Sequence, residues 1–162
     1  MSRDNNMIVK IIKATKKDAK TLAGFENDFS SSQKVFVKKY FYDFLKLRDE
    51  KALKKLMNNK KDLFYLALLD GVLAGYVQFR IDDGKQDGVK VMPRQGFIRS
   101  LYVEKKYRKN GIAKALFLCS MKYFKQRRVK YVSLNVMHTN FARDIYKKWG
   151  FEDFRMLMKK KI

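Results

Sequence analysis

Apolar and polar positions change period several times along the chain, and each change marks an element. "MIVKII" (7–12) alternates and predicts a short strand. Thr15 stands three residues before Asp18, the spacing of a capping box, and opens a helix over "KKDAKTLAGF". Across 34–58 the apolar residues fall at 37, 40, 41, 44, 45, 53, 56 and 57, the spacing of two short helices or one bent helix with a basic outer face. "LFYLALL" (63–69) is apolar throughout, Asp70-Gly71 is a hairpin turn signal, and "VLAGYVQFRI" (72–81) puts Val77, Phe79 and Ile81 on one face. Together they predict a β-hairpin. Residues 82–94 read as a loop or a ragged hairpin end, and "QGFIRSLYV" (95–103) alternates again as a strand.

From Ile112 the period lengthens to about 3.6. Ile112, Leu116, Cys119 and Tyr123 form one stripe, Ala113, Phe117, Ser120 and Phe124 a second, and Lys114, Lys122 and Lys125 lie opposite. An amphipathic helix to about Arg127 is predicted. "YVSLNVM" (131–137) alternates as a strand. "NFARDIYKKWG" (140–150) aligns Ala142, Ile145, Tyr146 and Trp149 on one helical face and ends at Gly150. "FEDFRMLMK" (151–159) closes as a strand with Phe154, Met156 and Met158 alternating. This order predicts an α/β domain with a mixed sheet, occupying residues 1–162 as one unit.

Composition narrows the function. With 46% hydrophobic residues the chain can bury a core, and one proline and eight glycines leave no linker to divide it. No apolar run is long enough for a bilayer, and "MSRDNNMIVK" has no signal-peptide core, so a cytoplasmic protein without membrane contact is expected. Cys119 is the single cysteine, which excludes an internal disulfide and a cysteine-based metal site; no metal is expected. The net charge of +22 attracts polyanions, so a basic nucleic-acid-binding module is an alternative reading. The excess of Lys over Arg, with frequent Phe, Tyr, Ile and Asn, is also what an AT-rich genome produces. No reader motif with aromatic stacking positions accompanies the charge.

"YRKNGIAKAL" (107–116) is the stretch where charge meets a helix start. Asn110-Gly111 is a turn signal in its own right. Placed between a strand and an amphipathic helix, it is also the geometry of an anion site. The first amides of a helix lack internal partners and lie at the positive end of its dipole. Arg108, Lys109, Asn110, Gly111, Ile112, Ala113 and Lys114 would surround a phosphate there. No Gly-x-Gly-x-x-Gly fingerprint and no Gly-Lys-Ser/Thr loop is present.

"LYVEKKYRKNGIAKALF" resembles the Arg/Gln-x-x-Gly-x-Gly/Ala acetyl-CoA motif of the Gcn5-related N-acetyltransferase (GNAT) superfamily. "NFARDIYKKWGF" (140–151) resembles the family's Asn, Ala, Tyr and Gly-Phe element, with Ala142 one position early. The resemblance implies a mixed, mostly antiparallel sheet of about six or seven strands flanked by about four helices. It implies acetyl-CoA as co-substrate. The backbone of Leu101, Tyr102 and Val103 would pair with the pantetheine, residues 108–114 would hold the pyrophosphate, and Asn140 would bond the cofactor arm. Tyr146 would be general acid to the leaving thiolate, which suits a phenol protonated at neutral pH. Many relatives carry a Glu or Asp on the strand before the motif, where this chain has Arg99 and Ser100. The candidate bases left are His138, the single histidine, or a water chain, and an acceptor that arrives neutral would need none; Glu104 lies at the strand end. Cys119 sits mid-helix, so direct attack by the amine is expected without an acyl-cysteine. The acceptor would be a primary amine of a small molecule, peptide or protein. The charge disfavours polycations unless Asp43, Asp49 and Glu50 make the cleft acidic. A CoA-binding fold without catalysis is the remaining alternative. The chain would be a monomer, or a homodimer paired through its last strand.

Overall fold

The computed structural model describes residues 7–37, 47–87, 90–158, 160 and 162. Its main sheet has five strands in the order β1-β2-β3-β6-β7, and β4 and β5 form a separate two-stranded ribbon. β1 (Val9–Lys13) pairs antiparallel with β2 (Asp62–Leu69). β2 turns into β3 (Val72–Asp82) through Asp70 and Gly71, at φ 49° and 84°. Two successive positive φ values match the right-handed twist of the hairpin, which is why Asp-Gly is a good turn there. The ribbon β4 (Lys85–Asp87) and β5 (Lys90–Met92) makes 82–94 a ragged hairpin end. β6 (Gln95–Val103) returns antiparallel along β3. β7 (Tyr131–Leu134) then lies parallel to β6, and parallel neighbours need a crossover, which α3 (Ile112–Gln126) supplies.

Helices cover both faces. Ile112, Leu116, Phe117 and Phe124 of α3 pack on Val77, Phe79, Ile98 and Val103. Each such side chain removed from water stabilises the fold by roughly 1.5–3 kcal/mol. On the opposite face α1 (Ala19–Gln33) and α2 (Glu50–Asn58) bury Ala19, Leu22, Ala23, Phe25 and Leu53 against Phe64, Leu66 and Tyr76. Thr15 and Asp18 form the expected capping box, with the Thr15 amide 2.7 Å from Asp18 Oδ2. The helix runs eight residues past its predicted end, because Phe29 reaches the ring of Tyr102.

Three expectations are corrected. Of the helices predicted over 34–58, the structure shows a 3-10 turn at Lys34–Phe36 and α2, capped by Asp49. The apolar positions at 40, 41, 44 and 45, and Asp43, lie outside the described residues. β7 stops at Leu134 rather than 137. No strand forms over the described part of 151–159: Phe154, Met156 and Met158 are 96%, 83% and 84% exposed. Alternation permits a strand but does not supply a partner edge. Asp153 is instead drawn back to α4 (Ala142–Lys148) by Arg143 and Lys147, at 2.5 and 2.8 Å.

Candidate active site

β6 outruns its neighbour. Its pairing with β7 ends at Ile98 opposite Leu134, while its pairing with β3 continues to Val103 opposite Gly75. Residues 99–103 therefore have one edge in the sheet and one edge that no described strand covers. A strand edge of this kind presents free N–H and C=O groups to an extended partner. Leu101, Tyr102 and Val103 lie on it.

The chain then tightens. A 3-10 turn at Lys105–Tyr107 leads to Lys109 at φ 68° and Gly111 at φ 73°. A left-handed residue with a side chain, followed two positions later by a left-handed glycine, curls the backbone so that amides face one side. Arg108 Nε donates to the Val103 carbonyl at 3.0 Å and Asn110 Nδ2 to the Tyr107 carbonyl at 3.1 Å. These two bonds brace the loop against the strand end. No side chain caps α3 and its first turn has no acidic residue. The Ala115 amide makes the first helical bond, to the Gly111 carbonyl at 3.0 Å, so the amides of Ile112, Ala113 and Lys114 precede the ladder. Lys109 and Lys114 are exposed beside them. This arrangement fits a phosphorylated ligand at the loop and an extended, amide-bearing arm along β6, the two chemistries of CoA.

α4 supplies the other predicted residues. Trp149, at its end, stacks on Phe117 of α3 with ring centroids 4.5 Å apart. Tyr146 packs edge-on against Trp149 and Phe151, and burial raises its phenol pKa. Tyr146 therefore keeps its proton across the neutral range, as a donor must. Ile145, expected on the same apolar face, is 39% exposed. Asn140 is buried; its Oδ1 accepts from the Ala142 amide at 2.9 Å and its Nδ2 donates to Gln33 Oε1 at 3.3 Å. It thus starts α4 and joins it to α1. His138 stands in an exposed turn after β7. The Cys119 thiol pKa is raised by burial, which disfavours a nucleophilic thiolate. Of the acidic residues expected near the cleft, Asp49 caps α2 and Glu50 pairs with Lys54 at 2.5 Å.

Sequence reasoning missed a buried polar cluster on the α1 side of the sheet. Glu26 of α1 accepts from the Tyr76 hydroxyl at 3.2 Å and lies 2.8 Å from Arg48 Nη1. Burial raises the Glu26 pKa against the pull of Arg48, Tyr76 and Arg99. Burial, then Glu26, holds Tyr76 well above its ordinary value. Asn27 clamps the Arg48 backbone through bonds of 2.9 and 3.0 Å. Gln78 Nε2 donates to Asp62 Oδ1 at 2.9 Å, while Gln78 Oε1 is buried without a donor among the described residues. A signal for Glu26 exists in the sequence: Ala19, Leu22, Ala23 and Glu26 share the core-facing spacing, and an acid there needs a buried partner. Among the described residues no group of three or more His, Cys, Asp or Glu could hold a metal, and no helix is long and apolar enough to cross a membrane.

Comparison with known proteins adds an independent line. The model of the acetyltransferase (GNAT) family matches residues 26–151. An N-alpha-acetyltransferase of Sulfurisphaera tokodaii is 35% identical over 99 residues, 58% of this chain and 59% of that protein. The chain thus spans about three fifths of that relative's length. A predicted acetyltransferase of Clostridium acetobutylicum, solved with acetyl-CoA, superposes with a TM-score of 0.72 at 21% identity, covering 95% of this chain and 96% of that one. A Bacillus halodurans protein superposes with a TM-score of 0.82 at 17% identity, covering 94% and 99%.

Proposed function

The chain belongs to the acetyltransferase (GNAT) family, and from that premise we propose that it transfers an acetyl group from acetyl-CoA to a primary amine by direct attack. One observation carries the reading: the uncovered edge of β6 runs directly into the uncapped start of α3. Bound acetyl-CoA would supply an activated thioester. The amides of 109–114, with Arg108, Lys109 and Lys114, hold its phosphates. Leu101 and the Val103 amide bond its arm along the uncovered edge, the backbone groups of Tyr102 facing Tyr76 of β3 between them, and the Asn140 amide, anchored to Gln33, lies on the α4 side. Tyr146 Oη keeps a proton and gives it, or a hydrogen bond, to the departing sulfur. Full transfer to a thiol of ordinary pKa is uphill by roughly 1.5 units, so the hydrogen bond is the larger part of its role. His138, exposed in the turn after β7, is the predicted base with the least built around it.

The relatives' name favours the α-amine of a polypeptide as acceptor. Chemistry points the same way. At pH 7.4 roughly a fifth to a third of α-amines are neutral, against about 0.1% of lysine side chains. An α-amine therefore asks far less of a base. The test is a screen with isotopically labelled acetyl-CoA against peptides with free or blocked N-termini, amino sugars, polyamines and amino acids, read by mass spectrometry. Label on free N-termini is the expected outcome. Label confined to small amines would replace the acceptor, and label on none would remove the activity.

A further inference from the structure

Amine acetylation must dispose of a proton, and β6 lacks the carboxylate for it. Resting on the acetyltransferase reading, we infer that Ser100, Tyr76 and Glu26 form a proton path from the acceptor amine to a carboxylate carried by helix α1. Ser100 is the group that touches the amine, and Tyr76 and Glu26 are positioning residues that act through it.

The sheet register brings the three together. Ser100 faces Gln78 across the β3–β6 ladder, and Tyr76 is the next residue of β3 on that face. Diagonal neighbours of this kind are within reach of a tyrosine. The register shifts between Gln78 and Phe79, leaving Arg99 as the extra residue of β6. A bulge re-aims the side chains beside it, and this one sits where β6 loses β7. Tyr76 is fully buried, and Glu26 and Ser100 are 7% and 8% exposed. The direction of the bond matters. Tyr76 donates to Glu26, which leaves the lone pairs of its oxygen to accept a proton from its diagonal neighbour Ser100. Opposite Ser100, Gln78 Oε1 is buried and has no hydrogen-bond donor among the described residues.

The step balances. An ammonium loses a proton to Ser100 Oγ, the Ser100 proton passes to Tyr76 Oη, and the Tyr76 proton passes to Glu26 Oε1. The carboxylate becomes a carboxylic acid and the amine becomes neutral. The amine then forms its C–N bond as the thioester C–S bond breaks, and Glu26 later releases its proton to water. Among the described residues the charged and titratable groups facing Glu26 are Arg48 before α2, Tyr76 of β3, Arg99 of β6 and Asp62 of β2. The raised pKa of Glu26 brings it closer to that of an α-amine.

The test is the pH profile of kcat/KM toward a peptide with a free N-terminus, for the parent, Ser100→Ala and Glu26→Gln, with CoA affinity as the control for folding. Ser100→Ala leaves the Glu26–Arg48 pair in place, so it decides the matter alone if Glu26→Gln fails to bind CoA. Both variants are expected to lose roughly six- to tenfold at pH 7, where about a tenth to a sixth of α-amines are neutral, and to recover to within about twofold above about pH 9, where nearly all are. A deficit under threefold at pH 7, or one equally large at every pH, overturns the path. Independently of turnover, carbon-13 NMR of the labelled carboxyl in the free protein follows Glu26. Tyr76→Phe removes a donor to the carboxylate, so the midpoint should rise; an unmoved midpoint overturns the contact. A parent chain that acetylates no amine would sink the functional reading, an outcome distinct from a parent that is active with a flat response to Ser100→Ala.

Discussion

Gly75→Ala adds one methyl group where two strands have no room for it. Gly75 lies opposite Val103 in the β3–β6 ladder. A Cβ there would stand 2.3 Å from the Tyr102 carbonyl oxygen, 3.0 Å from Val103 Cα and 3.3 Å from the Tyr102 carbonyl carbon. A carbon–oxygen contact in a sheet is normally about 3.3–3.6 Å, so the strands must part by roughly 1 Å. All three neighbours are backbone and none can rotate aside. Overpacking of this kind costs about 1–3 kcal/mol, and a ladder bond stretched by the parting about 1 more. Alanine's stiffer unfolded chain returns roughly 0.4–1 kcal/mol. The net loss of about 1–3.5 kcal/mol should lower the melting temperature by about 2–14 °C in a chain of this length. The parted residues are also those assigned to the arm of acetyl-CoA, so the KM for acetyl-CoA should rise. Gly24→Ala is the control, since a Cβ there meets nothing within 4 Å and α1 gains helix propensity. Calorimetry of both variants should give shifts of opposite sign. A Gly75→Ala melting temperature within 1 °C of the parent would refute the close approach of β3 to β6.

Gly111→Ala introduces left-handed strain at φ 73° without a clash, and should weaken CoA binding by about five- to thirtyfold, the equivalent of about 1–2 kcal/mol. Gly111→Glu adds a negative charge at the same helix start and should weaken it much further with the fold intact; titration calorimetry with equal affinities for Ala and Glu would remove the anion from that site. Tyr146→Phe should leave CoA affinity unchanged and cut turnover tenfold or more. Because burial raises the Tyr146 phenol above 10, the parent's turnover should not fall with pH for loss of this proton until beyond that value; an earlier descent would assign the acid elsewhere. Asp153 is held at about 2, below its ordinary 3.8, by Arg143 and Lys147. A depressed carboxylate stabilises the fold above its unfolded value and loses that contribution as pH falls through the folded one. Contact of 151–158 with α4 should thus loosen between about pH 4 and 2, visible in Trp149 fluorescence, and Asp153→Asn should abolish that transition.

The second half of the chain was the more legible in the sequence, for a physical reason. β6 and α3 bury one face each, so their periods survive in the residue pattern: Ile112, Leu116, Phe117 and Phe124 are buried as spaced. The tight bend before α3 was legible because it depends on backbone geometry, and Gly111, at φ 73°, leaves a trace of it. The closing strand was misread because alternation of Phe154, Met156 and Met158 says nothing about which edge would pair, and ion pairs of Asp153 decide the path. The polar cluster was the least legible. Glu26, Arg48, Tyr76 and Ser100 come from four segments that only the folded topology joins.

The most direct test is a crystal structure of this chain grown with CoA. The pyrophosphate should lie on the amides of 109–114, with the pantetheine arm against the free edge of Leu101–Val103. CoA seated elsewhere, or a first turn of α3 occupied by a side chain of the protein itself, would contradict the account.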